Sequence, residues 1–228
     1  MTMSKMNYNH TLRCFLCNNN INGQYYFDWA GHNICASHID SVIKCASCGQ
    51  FCNSQAKDIG FGMKICTHCQ KYRIKHGEYK AIVQFIKAIY QKTEIGTVTR
   101  WNLKMVNAET LYKMTHDLNT RGLAHAVWSE YTIFIYRELS RVAFAQVLAH
   151  EMLHIYQYTH NFHPIKSACE GFCNLGSYVV LLAINNNEAK AAIENLKHSE
   201  DPVYGDGFRA MLSVYLSGGW RAAINQIK

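Results

Sequence analysis

Four metal-ligand pairs near the N-terminus constrain this chain more than any other feature. Eight of its ten cysteines fall between Cys14 and Cys69. Together with His38, seven of these form pairs separated by two residues: Cys14–Cys17, Cys35–His38, Cys45–Cys48 and Cys66–Cys69. Such spacing is typical of zinc sites rather than of disulfide frameworks. Because so short a segment holds too few apolar residues for its own core, we expect zinc to supply its folding energy.

The sequence leaves the pairing of these ligands open. Joining neighbouring pairs gives a LIM-like arrangement with two structural zinc sites, formed by Cys14, Cys17, Cys35 and His38 and by Cys45, Cys48, Cys66 and Cys69. Joining alternate pairs gives the interleaved RING arrangement instead. His32 is an alternative to His38 as the fourth ligand of the first site. Cys52 is left over, and we expect it to be a free thiol.

A second metal-binding pattern, His-Glu-x-x-His, spans residues 150–154. On a helix a four-residue step rotates by about 400°, so His150 and His154 leave the same face and can bind one ion. Glu151 lies beside that face, where it can act as the general base toward a zinc-bound water. The flanking residues are mostly apolar, so these polar side chains would be costly to bury without a metal or polar partners. The pattern therefore predicts catalytic zinc.

Two residues compete for the third ligand position on this zinc. His160 fits the long metzincin pattern, but Gln157 replaces the glycine that turns the chain back toward the metal. Glu170 stands near the start of the next predicted helix and gives two histidines and one glutamate, as in gluzincin enzymes. We favour Glu170, with Asn174 one turn later as a candidate hydrogen-bond partner of a ligand.

Composition and periodicity predict an α+β chain in which a double zinc finger precedes a mainly helical, zincin-type domain with a small sheet. The predicted organisation is an N-terminal tail (1–12), the LIM-like finger module (13–72), a linker helix (73–95) and the peptidase domain (96–228). An apolar stripe indicates a helix over 76–92, and β-favouring residues indicate strands within 96–106 and 123–136. Further helices are predicted at 140–158, capped by Ser140, and at 168–184, 188–196 and 208–216.

Charge and hydropathy exclude few partners. The formal net charge of +7 is spread along the chain without a run of Lys or Arg, so we expect no nucleic-acid partner. The first residues lack the apolar run of a signal peptide, and the longest apolar stretch, 178–184, is too short to cross a bilayer. We therefore expect a cytoplasmic protein that does not bind membranes.

Together these patterns resemble the DA-one family, the LIM-domain peptidases activated by ubiquitin and known from plant organ-size control. The resemblance runs from Cys14 to about Ile227. It rests on the finger pattern and on four further blocks: Thr120-Arg121-Gly122-Leu123, Leu148-Ala149-His150-Glu151-Met152-Leu153-His154, Glu170-Gly171-Phe172-Cys173 and Pro202-Val203-Tyr204-Gly205-Asp206-Gly207-Phe208-Arg209-Ala210. The resemblance implies that His150, His154 and Glu170 bind catalytic zinc and that Glu151 is the general base.

The last of these blocks has two interpretations. Tyr204 can line the active cleft and donate a hydrogen bond to the oxyanion of the reaction. Alternatively, the block is a structural glycine-rich turn before a helix, with Asp206 near the helix N-terminus.

The chain departs from the family pattern in its fingers and at its N-terminus. The linker between the fingers, 39–44, has six residues where LIM domains usually have two, and the second pair is Cys-x-x-His instead of His-x-x-Cys. Plant members carry ubiquitin-interacting helices, whereas only thirteen residues precede Cys14 and they contain no acidic helical run. Ubiquitin or ubiquitinated proteins are thus partners by resemblance only.

The expected function is that of a zinc metallopeptidase acting on protein substrates, with the finger module binding a substrate or partner or regulating the enzyme. Two alternatives come from other classes. One is a LIM-type adaptor with an inactive peptidase fold, and the other is a cross-braced, RING-like ubiquitin-ligase module.

Overall fold

The computed structural model describes residues 12–228 and divides the chain into two compact units. The first unit runs up to Arg73 and includes Glu138–Ser140, and the second comprises Ile74–Arg137 and Arg141–Lys228. Of the predicted tail, 1–12, only Leu12 is described, and the remainder lies outside the described residues. The described residues form seven α-helices and three small sheets, which confirms the α+β class.

The first unit contains short elements between its cysteine pairs. Strands β1 (Tyr25–Phe27) and β2 (Asn33–Cys35) form one antiparallel hairpin, β3 (Lys57–Asp58) and β4 (Lys64–Ile65) form a second, and helix α1 (Thr67–Tyr72) follows. Its apolar interior is small and centres on Cys14, Ile34 and Phe51. This agrees with the shortage of apolar residues seen in the sequence.

A buried carboxylate, Asp28, connects the two halves of the first unit. One of its oxygens accepts hydrogen bonds from the backbone N–H groups of Ala30 and His32, both at 2.9 Å. The other accepts from the backbone N–H of Phe51 at 2.8 Å and lies 2.8 Å from His32 Nδ1. Asp28 therefore joins the loop after β1 to the segment that follows the third ligand pair.

The returning segment Glu138–Ser140 belongs to the first unit. Ser140 forms an antiparallel bridge with Arg73, and its backbone N–H donates to Ser47 Oγ at 2.8 Å. Glu138 accepts a 2.7 Å hydrogen bond from Arg73 and lies 3.6 Å from Lys57. Polar contacts thus support this unit in addition to its cysteine clusters.

The sheet of the second unit has the order β5-β7-β6. Strand β5 (Trp101–Val106) is parallel to β7 (Glu130–Tyr136), and β6 (Gly122–Val127) is antiparallel to β7 across a tight turn at Trp128 and Ser129. The parallel pairing requires a crossover, which contains helix α3 (Ala108–Thr115). Strand β6 therefore lies at the edge of the sheet.

Five further helices complete the second unit: α2 (Glu78–Tyr90), α4 (Arg141–Thr159), α5 (Lys166–Ile184), α6 (Asn187–Lys197) and α7 (Gly205–Asn225). Helix α4 packs against β6, β7 and α5, and α5 also packs against α7. Because α4 is enclosed on several sides, most of its residues are buried, as expected for a helix that is apolar around its circumference. The central helix pair α4 and α5 carries most of the candidate catalytic residues.

The sequence missed α1 and α3 and underestimated α7. Helix α3 has eight residues, and its N-cap Asn107 accepts from Thr110 N–H, a local signal that is weak beside the surrounding strand pattern. Helix α7 was predicted to end at Leu216, before two consecutive glycines. Instead the helix kinks at Gly219, whose φ of 66° is readily adopted by glycine, and continues to Asn225.

Helix α5 is long and apolar enough to cross a membrane by length and composition, whereas no apolar stretch of sufficient length was expected from the sequence. Half of its apolar window is buried inside the fold, and core helices of folded proteins share these properties. In this chain α5 packs against α4, α6 and α7 and carries Glu170 and Asn174. Its apolar character is accounted for by that packing.

Candidate metal centres

The first finger cluster brings together Cys14, Cys17, Cys35 and His38, whose ligand atoms lie within 4.8 Å of one another. Cys35 Sγ lies 3.7 Å from Cys14 Sγ and 2.9 Å from His38 Nδ1. Burial alone would raise the pKa of Cys14, but nearby backbone N–H groups, first that of Cys17, lower it to about 6. The thiolate is the metal-binding form of cysteine, so these N–H groups favour the metal-binding form of Cys14.

The second finger cluster brings together Cys45, Cys48, Cys66 and Cys69. Cys48 Sγ and Cys66 Sγ are 3.7 Å apart, and hydrogen bonds from neighbouring thiols, first Cys48, hold the pKa of Cys45 well below its ordinary value. The backbone N–H groups of Ser47 and Cys66 also point at Cys45 Sγ, at 3.4 and 3.3 Å. Such N–H donors stabilise negative charge on sulfur.

The clusters join neighbouring ligand pairs, so the described residues have the sequential arrangement and not the interleaved one. His38 belongs to the first cluster, whereas His32 lies against Asp28 and stacks on Phe15 with ring centroids 3.9 Å apart. Cys52 is buried and has no disulfide partner. These observations resolve the alternatives in favour of His38.

A third group of donors lies between α4 and α5 in the second unit. His150 Nε2 and His154 Nε2 are 3.2 Å apart, as the four-residue helical step predicts. One oxygen of Glu170 lies 3.1 Å from His150 Nε2 and 3.6 Å from His154 Nε2. All three side chains are about 13–15% exposed, so solvent has limited access to the cluster. These atoms could hold a metal ion.

Cys173 Sγ also lies within 4.8 Å of the ligand atoms of His150 and His154 and competes with Glu170 as the third donor. The two candidates differ in charge. Burial raises the pKa of Cys173 well above its ordinary value and keeps the thiol protonated, and its sulfur already accepts from Gln157 Nε2 at 3.1 Å. Since metal ligands are deprotonated, we favour Glu170.

The structure places His160 away from this cluster. Helix α4 ends at Thr159, and His160 Nδ1 lies 2.8 Å from the carbonyl oxygen of Tyr156. Its ring packs on Tyr156 and Phe162, with centroids 4.2 and 5.5 Å away. The metzincin alternative therefore lacks its third histidine at the site.

Charges are closely coupled at the third cluster. Burial opposes ionisation of Glu170, yet hydrogen bonds from His150 and His154 hold its pKa well below the usual range. Burial likewise disfavours the charged form of His154, but Cys169, Glu170 and Glu151 together raise its pKa to about 10. In the metal-free protein a proton on His154 thus balances the Glu170 carboxylate, and a cation would take over that role.

The Nδ1 atoms of both histidines face partners on α5. Asn174 Oδ1 lies 2.9 Å from His150 Nδ1, and Cys169 Sγ lies 3.6 Å from His154 Nδ1. Partners on Nδ1 fix the orientation of a metal-binding imidazole and its tautomer. The candidate role of Asn174 is consistent with this contact, whereas Cys169 was missed, although it directly precedes Glu170 in the sequence.

Edge strand β6 positions Glu151. The backbone N–H of Ala124 donates to Glu151 Oε2 at 2.7 Å, and the carboxylate is 7% exposed. Gly122 lies so close that a Cβ there would be 2.7 Å from Glu151 Oε1 and would also overlap Val147. The Thr-Arg-Gly-Leu block therefore contributes a glycine that makes room for Glu151, which its sequence alone did not indicate.

The structure supports the structural interpretation of the glycine-rich block at 202–210. A Cβ at Gly207 would overlap the carbonyl oxygen of Ser167, and one at Gly171 would overlap that of Gly207, so α5 and α7 approach closely here. Arg209 pairs with Asp206 and also donates to the backbone carbonyls of Lys197, at the end of α6, and Ser199, in the loop that follows. These residues are structural, and their close packing places Tyr204 directly before α7.

Tyr204 is 44% exposed, and its carbonyl oxygen accepts from Asn174 Nδ2 at 3.1 Å. Burial, followed by the charge of Glu170, raises the pKa of Tyr204 to about 12, and Glu151 adds to this shift. A second phenol that the sequence did not single out, Tyr158, has its pKa raised to about 12 by burial and nearby charges and stacks on His154. Both phenols remain protonated at neutral pH and can donate hydrogen bonds.

Comparison with known protein families, with curated proteins and with solved structures finds no match for this chain.

Proposed function

We propose that this chain is a zinc metallopeptidase that hydrolyses peptide bonds in protein substrates. The observation that carries the proposal is the triangle of donor atoms from His150, His154 and Glu170, with sides of 3.1, 3.2 and 3.6 Å. Ligands about 2.0–2.1 Å from a tetrahedral zinc ion lie roughly 3.3 Å from one another. The triangle therefore suits an ion of this size and geometry.

Three protein ligands leave one tetrahedral position for water or substrate, as in catalytic zinc sites. When bound, zinc would polarise a substrate carbonyl and lower the pKa of a coordinated water to about 7. Glu151, oriented by Ala124 N–H, would take a proton from the attacking water at its carboxylate and later deliver it to the leaving amine. Tyr204 would donate a hydrogen bond from its phenolic O–H to the developing oxyanion.

The finger module completes the proposal with two structural zinc ions. Sulfur atoms about 2.3 Å from a tetrahedral zinc ion lie roughly 3.8 Å apart. The measured separations are 3.7 Å for Cys14–Cys35 and for Cys48–Cys66. Because neighbouring pairs share each cluster, we propose a LIM-like module that binds a substrate or partner or regulates the enzyme.

The motif resemblance to the DA-one family supports the same activity and a gluzincin-type ligand set. Under that resemblance, ubiquitin or ubiquitinated proteins are proposed partners, and we propose a cytoplasmic location. The sequential clusters remove the main argument for a RING-like ligase. An adaptor with an inactive peptidase fold would not need Glu151. Substitution of Glu151 therefore distinguishes the peptidase from the adaptor.

The experiment compares Glu151→Gln with the wild-type chain on a library of unstructured peptides, with products identified by mass spectrometry. Glutamine preserves the acceptor for Ala124 N–H but cannot act as a base, so cleavage should fall by about 10²–10⁴-fold. Glu130→Gln, at an exposed residue that begins β7, is the matched control. All three proteins should contain about three zinc ions, one of them readily removed by a chelator.

Two results would overturn the proposal. One is a wild-type protein that holds all three zinc ions and cleaves no peptide in the library. The other is a Glu151→Gln protein that cleaves at the wild-type rate. Equal zinc content in the variant and the control separates loss of the base from loss of the metal.

A further inference from the structure

We infer that Asn174 is a positioning residue that couples the metal site to Tyr204, by fixing the tautomer of His150 and the main chain of Tyr204 with one amide. The inference rests on the proposed function for the roles given to His150 and Tyr204. Its structural content is independent of catalysis, and it can be tested without a substrate.

The amide of Asn174 makes two hydrogen bonds. Its Oδ1 lies 2.9 Å from His150 Nδ1, and its Nδ2 lies 3.1 Å from the carbonyl oxygen of Tyr204. The side chain is 7% exposed, so water competes weakly for either bond. The two contacts are made to chain segments 54 positions apart, which Asn174 joins through α5.

The chemistry of these partners determines the orientation of the amide. A backbone carbonyl only accepts hydrogen bonds, so the NH₂ group of Asn174 must face Tyr204 and its oxygen must face His150. An amide oxygen also only accepts, so His150 Nδ1 must carry the proton. The neutral imidazole then presents its lone pair at Nε2, the atom that faces Glu170 and His154.

The same amide stabilises the start of α7. The carbonyl oxygen of Tyr204 accepts both from Asn174 Nδ2 and from the backbone N–H of Phe208, at 3.3 Å. Asp201 Oδ1 in turn accepts from the backbone N–H of Tyr204 at 2.8 Å. The Tyr204 main chain is therefore held at its N–H by Asp201 and at its carbonyl oxygen by Asn174.

Two substitutions separate the two bonds. Asn174→Asp retains an acceptor for His150 Nδ1 but loses the donor and places a carboxylate against the Tyr204 carbonyl. Asn174→Ala loses both bonds. Ser177→Ala is the matched control, because Ser177 is buried on the same helix and its hydroxyl donates to the Gln146 carbonyl at 2.8 Å, without contact to the donor triangle.

Zinc affinity, measured by competition with a chromophoric chelator, tests the bond to His150. For the most labile zinc ion, we expect Asn174→Ala to weaken binding by about 10–100-fold and Asn174→Asp to stay within about threefold of the wild type. Hydrogen exchange at the Phe208 amide tests the other bond. It should accelerate in both Asn174 variants and stay unchanged in Ser177→Ala.

Cleavage of the peptide library tests the coupling between the two sites. Tyr204→Phe should lower kcat by about 10²–10³-fold in the wild-type background, as for loss of an oxyanion donor. In the Asn174→Asp background the same change should cost less than about threefold, because Tyr204 has already lost its position. Additive effects of the two substitutions would overturn the coupling.

These readouts distinguish failure of the inference from failure of the proposed function. Unchanged zinc affinity in Asn174→Ala, or unchanged Phe208 exchange in both variants, overturns the role of Asn174 even if Glu151 proves essential for cleavage. Conversely, a chain with no peptidase activity can still show both effects, and then only the peptidase proposal fails.

Discussion

The two units of this chain form metal-binding clusters of different construction. Each finger cluster contains four donors, enough to fill the coordination of a tetrahedral ion, and is surrounded by little apolar core. The cluster on α4 and α5 contains three favoured donors within a well-packed helical unit. Under the proposed function, this difference predicts that metal is needed for folding in the first unit and for chemistry in the second.

The polar partners of the clusters differ in the same way. In the fingers, backbone N–H groups from neighbouring residues point at sulfur, as at Cys45. In the helical unit, side chains from a different helix and a backbone N–H from a strand orient His150 and Glu151. Local backbone groups therefore surround the sulfur of Cys45, whereas contacts between distant elements orient the donors of the cluster on α4 and α5.

Complete removal of metal should give the largest difference between the units. Structural zinc contributes about 10–16 kcal/mol to the folding of finger peptides, so residues 12–73 should lose their structure. Residues 74–228 should stay folded on their own apolar core. Hydrogen exchange followed by mass spectrometry measures both units in one sample, and adding zinc back controls for irreversible damage. Protection of the finger amides after all the metal has been removed would contradict this prediction.

Substitution of the third ligand should have the next largest effect, confined to the helical unit. Glu170→Gln should weaken the labile zinc site by more than about 100-fold, because outer partners alone account for about 10–100-fold. Cys173→Ala is the control, since Cys173 is the competing donor. Zinc affinities are measured by chelator competition. If the Cys173 thiol were the ligand, Cys173→Ala would weaken zinc binding more than Glu170→Gln.

Sequence reasoning located the donors well where spacing alone determines geometry. The two-residue separations of the finger pairs and the four-residue step from His150 to His154 both place donors together through local backbone geometry. Glu170 could also be predicted, although the sequence could not exclude His160. The end of α4 and the packing of α5 decide between them.

The remaining features depend on contacts between segments distant in sequence. No local sequence pattern predicts the hydrogen bond from Ala124 N–H to Glu151 or the one from Asn174 to the Tyr204 carbonyl oxygen. The strand order β5-β7-β6 and its parallel pair are likewise tertiary outcomes, because the sequence suggested only a small sheet. Gly122 gave no such signal either, because the predicted strand began one residue later, at 123, and only the structure places this glycine within β6.

Adding a side chain at Gly122 should sharpen the comparison, because it should disturb the helical unit alone. Gly122→Ala places a methyl group against Val147 and Glu151 and should destabilise the helical unit by about 1–3 kcal/mol. Cleavage should fall as well, because Glu151 is displaced from Ala124 N–H. The control is Ala126→Ser, at an exposed position of the same strand. If Gly122→Ala had the unfolding temperature and the cleavage rate of the wild type, Gly122 could not be packed closely against Val147 and Glu151.

The smallest expected effect concerns the support of the finger unit that does not depend on metal. Burial alone would raise the pKa of Glu138, but the charges of Arg73 and Lys57 lower it. A carboxylate with a lowered native pKa stabilises the fold above its unfolded pKa of about 4.3 and loses that contribution as the pH falls through the native value. Glu138→Gln should therefore destabilise the first unit by up to about 1 kcal/mol at neutral pH.

The loss of unfolding free energy in Glu138→Gln should be constant between about pH 6 and 8. Throughout that range Glu138 of the wild type is ionised in both the folded and the unfolded chain. On acidification the zinc thiolates take up protons and release their metal before the carboxylate titrates. Wild type and variant should therefore unfold at nearly the same acidic pH, as should the exposed control Asp40→Asn. Finger-unit hydrogen exchange across this pH range measures the effect. If Glu138→Gln unfolded at a pH a full unit higher than the wild type, the ion pair, and not zinc, would determine the stability of this unit in acid.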